Sequence, residues 1–244
     1  MATFYYALFY IHITAGLIAM VLFWVPLATR KGGFNHRSFG RYYRRSMYLV
    51  AYCGILMSLL MFTVPTWIKP ELAALDSSSA QITSVRVFAT LLVFLGWLTL
   101  FSVYHGQVSL QAKQNRSAYR TPRYLTLLAG MFILGLICLV AGIQYGHPLL
   151  QIFGGLGLFS SISTYRLIRK KEVSNKLWLA EHLGGYIGSG IAAYTAFLTF
   201  GARHLIQLDG YWQLTFWVLP GVIGGISIAL LTRKYAKNAK LVQL

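Results

Sequence analysis

Seven stretches of mostly apolar residues alternate with short connections along this chain, and that alternation limits its fold more than any other feature. A hydrocarbon core about 30 Å thick is crossed by about 20 residues of α-helix, each rising about 1.5 Å. The stretches fall roughly at residues 3–28, 46–67, 84–109, 124–145, 148–168, 178–201 and 213–232. Only Gly146-His147-Pro148 separates the fourth from the fifth; proline ends one helix and can start the next, and the joint run is too long for one crossing. Charged residues make up 11% of the chain, against about 25% in a soluble domain. So little charge cannot cover a water-facing surface, and lipid must solvate most of it. The expectation is an all-α fold: one membrane domain over residues 1–244, built as a seven-transmembrane-helix bundle.

The basic residues orient this bundle. Arg30, Lys31, Arg37, Arg41, Arg44 and Arg45 lie between the first and second stretches, and Lys113, Arg116, Arg120 and Arg123 between the third and fourth. Arg166, Arg169, Lys170, Lys171 and Lys176 lie around the fifth connection, and Arg233, Lys234, Lys237 and Lys240 follow the seventh stretch. Lys69, Arg86 and Arg203 alone fall on the other side, so 19 of 22 basic residues share one face. Basic loops stay cytoplasmic, which puts the N-terminus outside and the C-terminus in the cytoplasm. The net charge of +17 is dispersed in four clusters; it points to the bilayer and its anionic headgroups as partners, not to nucleic acid. No basic segment or small-residue cleavage site accompanies the first stretch, so it is expected to remain as a helix. Cys53 and Cys138 lie in separate stretches, outside any Cys-x-x-Cys pair, and read as buried thiols.

Ionisable groups inside a membrane are costly and mark function. Glu71, Asp76, Glu172 and Asp209 fall in connections, whereas Glu181 lies a few residues into the sixth stretch and is followed at once by His182. Glu181, Gly185, Gly188 and Ala192 share a helical face whose small residues would turn the carboxylate toward the bundle. His105 lies near the inner end of the third stretch, at a similar depth to His182 on the cytoplasmic side. Two histidines at one depth on different helices are candidate haem or metal ligands, with haem b as the cofactor they would hold. With Glu181, His182 would instead form a proton relay. His12 lies within the first stretch, on a face with Gly16, Ala19 and Phe23, as a further candidate ligand or as a hydrogen-bond bridge to a Ser, Thr or Tyr of a neighbouring helix. His147 and His204 are expected to be solvated outer residues. Sixteen tyrosines and six tryptophans read as interface anchors, and Gly154, Gly155, Gly157, Gly221, Gly224 and Gly225 as tight helix crossings.

The segment His12-x3-Gly16, the loop Lys31-x4-His36-Arg37-x2-Gly40-x-Tyr42, and Trp178-x3-His182 leading toward Ser189 and Tyr194-Thr195-Ala196-Phe197 carry a resemblance over most of the chain. They resemble a bacterial family of multi-pass membrane proteins of unknown function. The resemblance implies a bacterial cytoplasmic (inner) membrane protein and marks His12, Lys31, His36, Arg37, Gly40 and His182 as motif positions. It implies no activity and no ligand set.

Residue chemistry thus leaves three functional classes: a haem- or metal-associated redox protein using bundle histidines, a small proton-coupled transporter using Glu181 and His182, and a non-catalytic assembly or scaffold subunit. A membrane hydrolase lacks support, because neither Gly-x-Ser-x-Gly nor His-Glu-x-x-His occurs.

Overall fold

The computed structural model describes residues 2–73, 78–113, 115–170, 172–201, 211–236 and 241–243. Asp76, Ser77, Lys171, Arg203, His204, Asp209, Lys237 and Lys240 lie outside the described residues. The order is α1 (Ala2–Ala28), α2 (Phe34–Thr63), the single turn α3 (Pro65–Ile68), a 3-10 turn (Pro70–Ala73), α4 (Ser78–Ala112), a second 3-10 turn (Arg116–Arg120), α5 (Pro122–Gln144) and α6 (Pro148–Arg169). After them come β1 (Glu172–Ser174), α7 (Leu177–Ala196) with a π-helical turn (Phe197–Gly201), α8 (Tyr211–Ala236) and β2 (Leu241–Gln243). The two strands form a three-residue antiparallel ladder with Glu172 opposite Gln243.

The protein is therefore helical, and among the described residues five helices, α1, α2, α4, α5 and α8, are long and apolar enough to cross a membrane. Their exposed surfaces agree with that: Phe4, Phe9, Leu17 and Val21 on α1, and Ile133 and Val140 on α5, project outward, more apolar surface than water tolerates. Helices α6 and α7 are more polar, because serines and Gln151 punctuate the first and Glu181, His182 and several glycines the second.

Several boundaries differ from the sequence expectation. Helix α2 begins at Phe34 rather than near 46, so His36, Arg37 and Gly40 belong to its first turns and not to a loop. Hydropathy marks only the apolar part of a helix, whereas arginine is a good helix former and the chain needs only the turn at Gly32 (φ +76°) to reverse. Helix α4 starts six residues earlier than the expected 84, at Ser78. The sixth stretch stays α-helical only to Ala196, and a π-helical turn completes it.

The described chain forms two compact units, Met1–Leu100 with Gly130–Ser161, and Phe101–Ala129 with Ile162–Leu244. In the first unit, α1 and α2 pack as a helical hairpin. The His12 ring rests against Gly54 of α2, where an added Cβ would lie 3.3 Å from it. A Cβ on Gly96 of α4 would come within 2.7 Å of Ile55, and one on Gly154 of α6 within 2.5 Å of the Leu139 main chain on α5. Arg86 of α4 donates through Nε to the Phe62 carbonyl (3.0 Å), placing a cation at the carbonyl-rich end of α2.

In the second unit, α7 lies against the C-terminal part of α4. A Cβ on Gly185 would sit 2.6 Å from both the Gly106 nitrogen and the Ser102 carbonyl oxygen, so these backbones approach as only small residues permit. Gly188, expected on the same packing stripe, meets nothing within 4 Å; the packed face runs through Gly185 and the buried Ser189. Helix α8 seats Gly224 on Ile191 of α7. Gly221 and Gly225 face open space, so of that glycine group only Gly224 makes a crossing.

Candidate functional site

The C-terminal part of α4, the 3-10 turn Arg116–Arg120, the first turn of α5 and α7 together build a polar cluster in the second unit. His105 is its centre. Its Nε2 lies 2.7 Å from Glu181 Oε2, and its Nδ1 lies 2.5 Å from the Tyr124 hydroxyl. A carboxylate only accepts, so Nε2–H donates to Glu181, which leaves Nδ1 of the neutral ring to accept from Tyr124. The result is a directed chain, phenol to imidazole to carboxylate.

Aromatic rings fix the imidazole. Phe101, one turn earlier on α4, stacks at 5.7 Å between centroids, and Tyr119 stacks at the same distance. Tyr119 and Tyr124 pack edge to face at 5.4 Å. The chain grades outward from a dry end: Tyr124 is fully enclosed, the His105 side chain is 9% exposed, and that of Glu181 is 24% exposed. The phenol lies in a low-dielectric setting that strengthens hydrogen bonds to it.

Two arginines of the 3-10 turn border the cluster. Arg116 donates through Nη2 to the Leu167 carbonyl (2.9 Å), and Arg120 to that of Ile168 (3.4 Å). Both supply cations to the terminal carbonyls of α6. Burial, more than the nearby Glu181 charge, pushes the Tyr119 phenol far above its ordinary range, so it stays neutral. Burial likewise pulls the Arg116 guanidinium down. Nearby, Lys113 lies 5.0 Å above the Trp178 ring and Arg123 lies 4.9 Å above the Tyr104 ring.

Of the residues singled out in the sequence, His105 and Glu181 meet. His182 does not pair with His105; its Nδ1–H donates to the carbonyl of Gly106 (2.9 Å), and its ring packs edge-on to Tyr186 at 4.9 Å. His12 belongs to the first unit, where its Nδ1–H donates to the Val50 carbonyl of α2 (2.9 Å), a main-chain acceptor in place of the side-chain bridge expected. Its packed face continues through Ala15 and Ala19, whereas Gly16 faces open space. His147 is not simply solvated: its ring packs against Phe88 and its Nδ1 is buried without a partner.

The Lys31-to-Gly40 motif converges on one residue. Lys31 Nζ donates to the carbonyls of Pro26 (2.9 Å) and Leu27 (2.7 Å), and His36 Nδ1–H donates to Pro26 (3.0 Å). A Cβ on Gly40 would touch the Pro26 ring at 3.9 Å. The motif thus caps the last turn of α1, satisfying carbonyls that a helix end leaves open, while Arg37 is exposed on the first turn of α2.

Sequence reasoning missed Tyr124, Tyr119 and Arg116. In the sequence both tyrosines read as interface anchors, yet both are enclosed. Only Arg116-x2-Tyr119, a cation and an aromatic three apart before Pro122, hinted at an ordered turn. Among the described residues, no three His, Cys, Asp or Glu side chains stand together as a metal site. His105, the central candidate haem ligand, has both ring nitrogens engaged, so it does not fit that role without giving up Tyr124 or Glu181. No family model, no curated protein and no solved structure matches this chain.

Proposed function

We propose that this chain is a seven-span bacterial inner-membrane protein, N-terminus outside, that couples proton exchange at Glu181–His105–Tyr124 to movement of a small solute. The observation that carries the reading is the imidazole held between a partly exposed carboxylate and an enclosed phenol. Histidine and carboxylate are the pair best able to trade a proton near neutral pH, and an intramembrane ionisable group is functional by default. The seven spans include α6 and α7, whose polar residues suit helices lining such a site. The cytoplasmic placement of the cluster follows from the basic connections around it.

Proton flux into pyranine-loaded liposomes containing the full chain tests the reading. Glu181→Gln keeps the shape and removes the titrating group; flux should fall at least tenfold. Equal flux from Glu181→Gln and the wild type would remove the coupling role. A redox reading would need His105 to exchange one of its hydrogen bonds for a metal. A reduced-minus-oxidised absorption spectrum of the purified chain addresses it: a Soret band that shifts on reduction would replace the carrier reading.

A further inference from the structure

Among the described residues, two buried donors in the second unit have no partner: Arg116 Nη1 and the Tyr119 hydroxyl. Tyr119 is only 2% exposed. The two residues stand three apart on the 3-10 turn Arg116–Arg120, a spacing at which side chains of that helix eclipse one another. They therefore project from one face. The same Tyr119 ring covers His105, which donates to Glu181. An enclosed donor without an acceptor is costly, and two on one face call for an occupant that accepts from both.

The surroundings select its charge. Lys113, Arg116, Arg120 and Arg123 lie on and beside this turn, and Glu181 is the acidic side chain that meets the cluster. Leu167 already accepts from Arg116 Nη2, which holds the guanidinium plane and leaves Nη1 directed elsewhere. A guanidinium edge together with a phenolic O–H is the donor set that a carboxylate group accepts from. Both donor atoms are enclosed, so the ligand must be small. We propose that Arg116 Nη1 and the Tyr119 hydroxyl form a binding site for the carboxylate of a small soluble acid, beside the Glu181–His105 pair. This extends the carrier reading by naming its solute class and rests on that reading for the coupling, though not for the binding itself. An ionised Glu181 competes for the same guanidinium charge, so neutralising it should strengthen the site.

The probe is acetate, measured as the rise in melting temperature of the full chain in phosphatidylcholine nanodiscs, with sodium acetate against sodium chloride at equal ionic strength. Acetate should stabilise the wild type in a saturable way. Tyr119→Phe, which keeps the stacked ring and deletes one donor, should weaken apparent acetate affinity at least threefold. Glu181→Gln should tighten it about fivefold. No acetate effect in the wild type would overturn the site and leave only two unsatisfied donors. Loss of the acetate response in phosphatidylglycerol nanodiscs would assign the pocket to a lipid phosphate and overturn the solute. The outcomes separate from those of the carrier reading: acetate binding with Glu181-independent proton flux would retain the site and remove the coupling, whereas Glu181-dependent flux without acetate binding would do the reverse.

Discussion

His36 and His105 each end up where helices meet, and their surroundings differ in one decisive respect. His36 donates to a main-chain carbonyl, that of Pro26, and shares it with Lys31. A carbonyl never gains or loses a proton, so this bond can only hold α2 to the end of α1. His12 and His182 follow the same pattern, each donating Nδ1–H to a carbonyl of another helix. His105 instead donates to a carboxylate, which can change protonation, and accepts from an enclosed phenol. The same ring is a clasp in one region and a candidate switch in the other. Depth in the membrane therefore says less about a histidine's role than the chemistry of its acceptor.

The comparison breaks most sharply at His105. His105→Gln preserves one hydrogen bond but cannot carry a proton between partners; proton flux should fall at least tenfold, about 1.4 kcal/mol, while the protein still inserts. Flux like that of the wild type would put the cluster in the same structural class as the clasp. Gly185→Val attacks the geometry instead. Its side chain would meet the α4 main chain, force α7 outward and carry Glu181 away from His105. A destabilisation of about 1–3 kcal/mol, read from thermal unfolding in detergent, should accompany loss of flux; a neutral result would show that the close approach is not what sets the pair.

The clasp should respond the other way. His36→Ala should cost about 1 kcal/mol of stability with an unchanged pH profile of flux, and a shifted profile would mean that the two regions are not functionally separate. Lys31→Met should give the smallest change, about 0.3–1 kcal/mol, reduced further in high salt because the side chain is exposed. A larger loss at Lys31 than at His36 would make the lysine the main cap of α1.

Much of the fold was legible in the sequence. Helix positions follow from runs of apolar residues, and the break at Gly146-His147-Pro148 from one proline and a glycine at φ +62°. The start of α2 was not legible, because a basic amphipathic turn and a basic loop have the same composition. Of the site, Glu181 and His105 were readable as costly residues, but Tyr124 looked like any other interface tyrosine.

What the sequence determined by itself is local: where helices form, which segments lipid can solvate, and which ionisable groups stand out as expensive. Those properties depend on neighbours a few positions away and on the bilayer's thickness. Only the tertiary structure decided that His105 meets Glu181, 76 positions later, while His182 turns to a carbonyl. That choice hangs on how closely α7 approaches α4 at Gly185 and Gly106, and on which rotamer each ring adopts once the backbones touch. Packing at that range is a property of the folded chain, since no short window of sequence contains both partners.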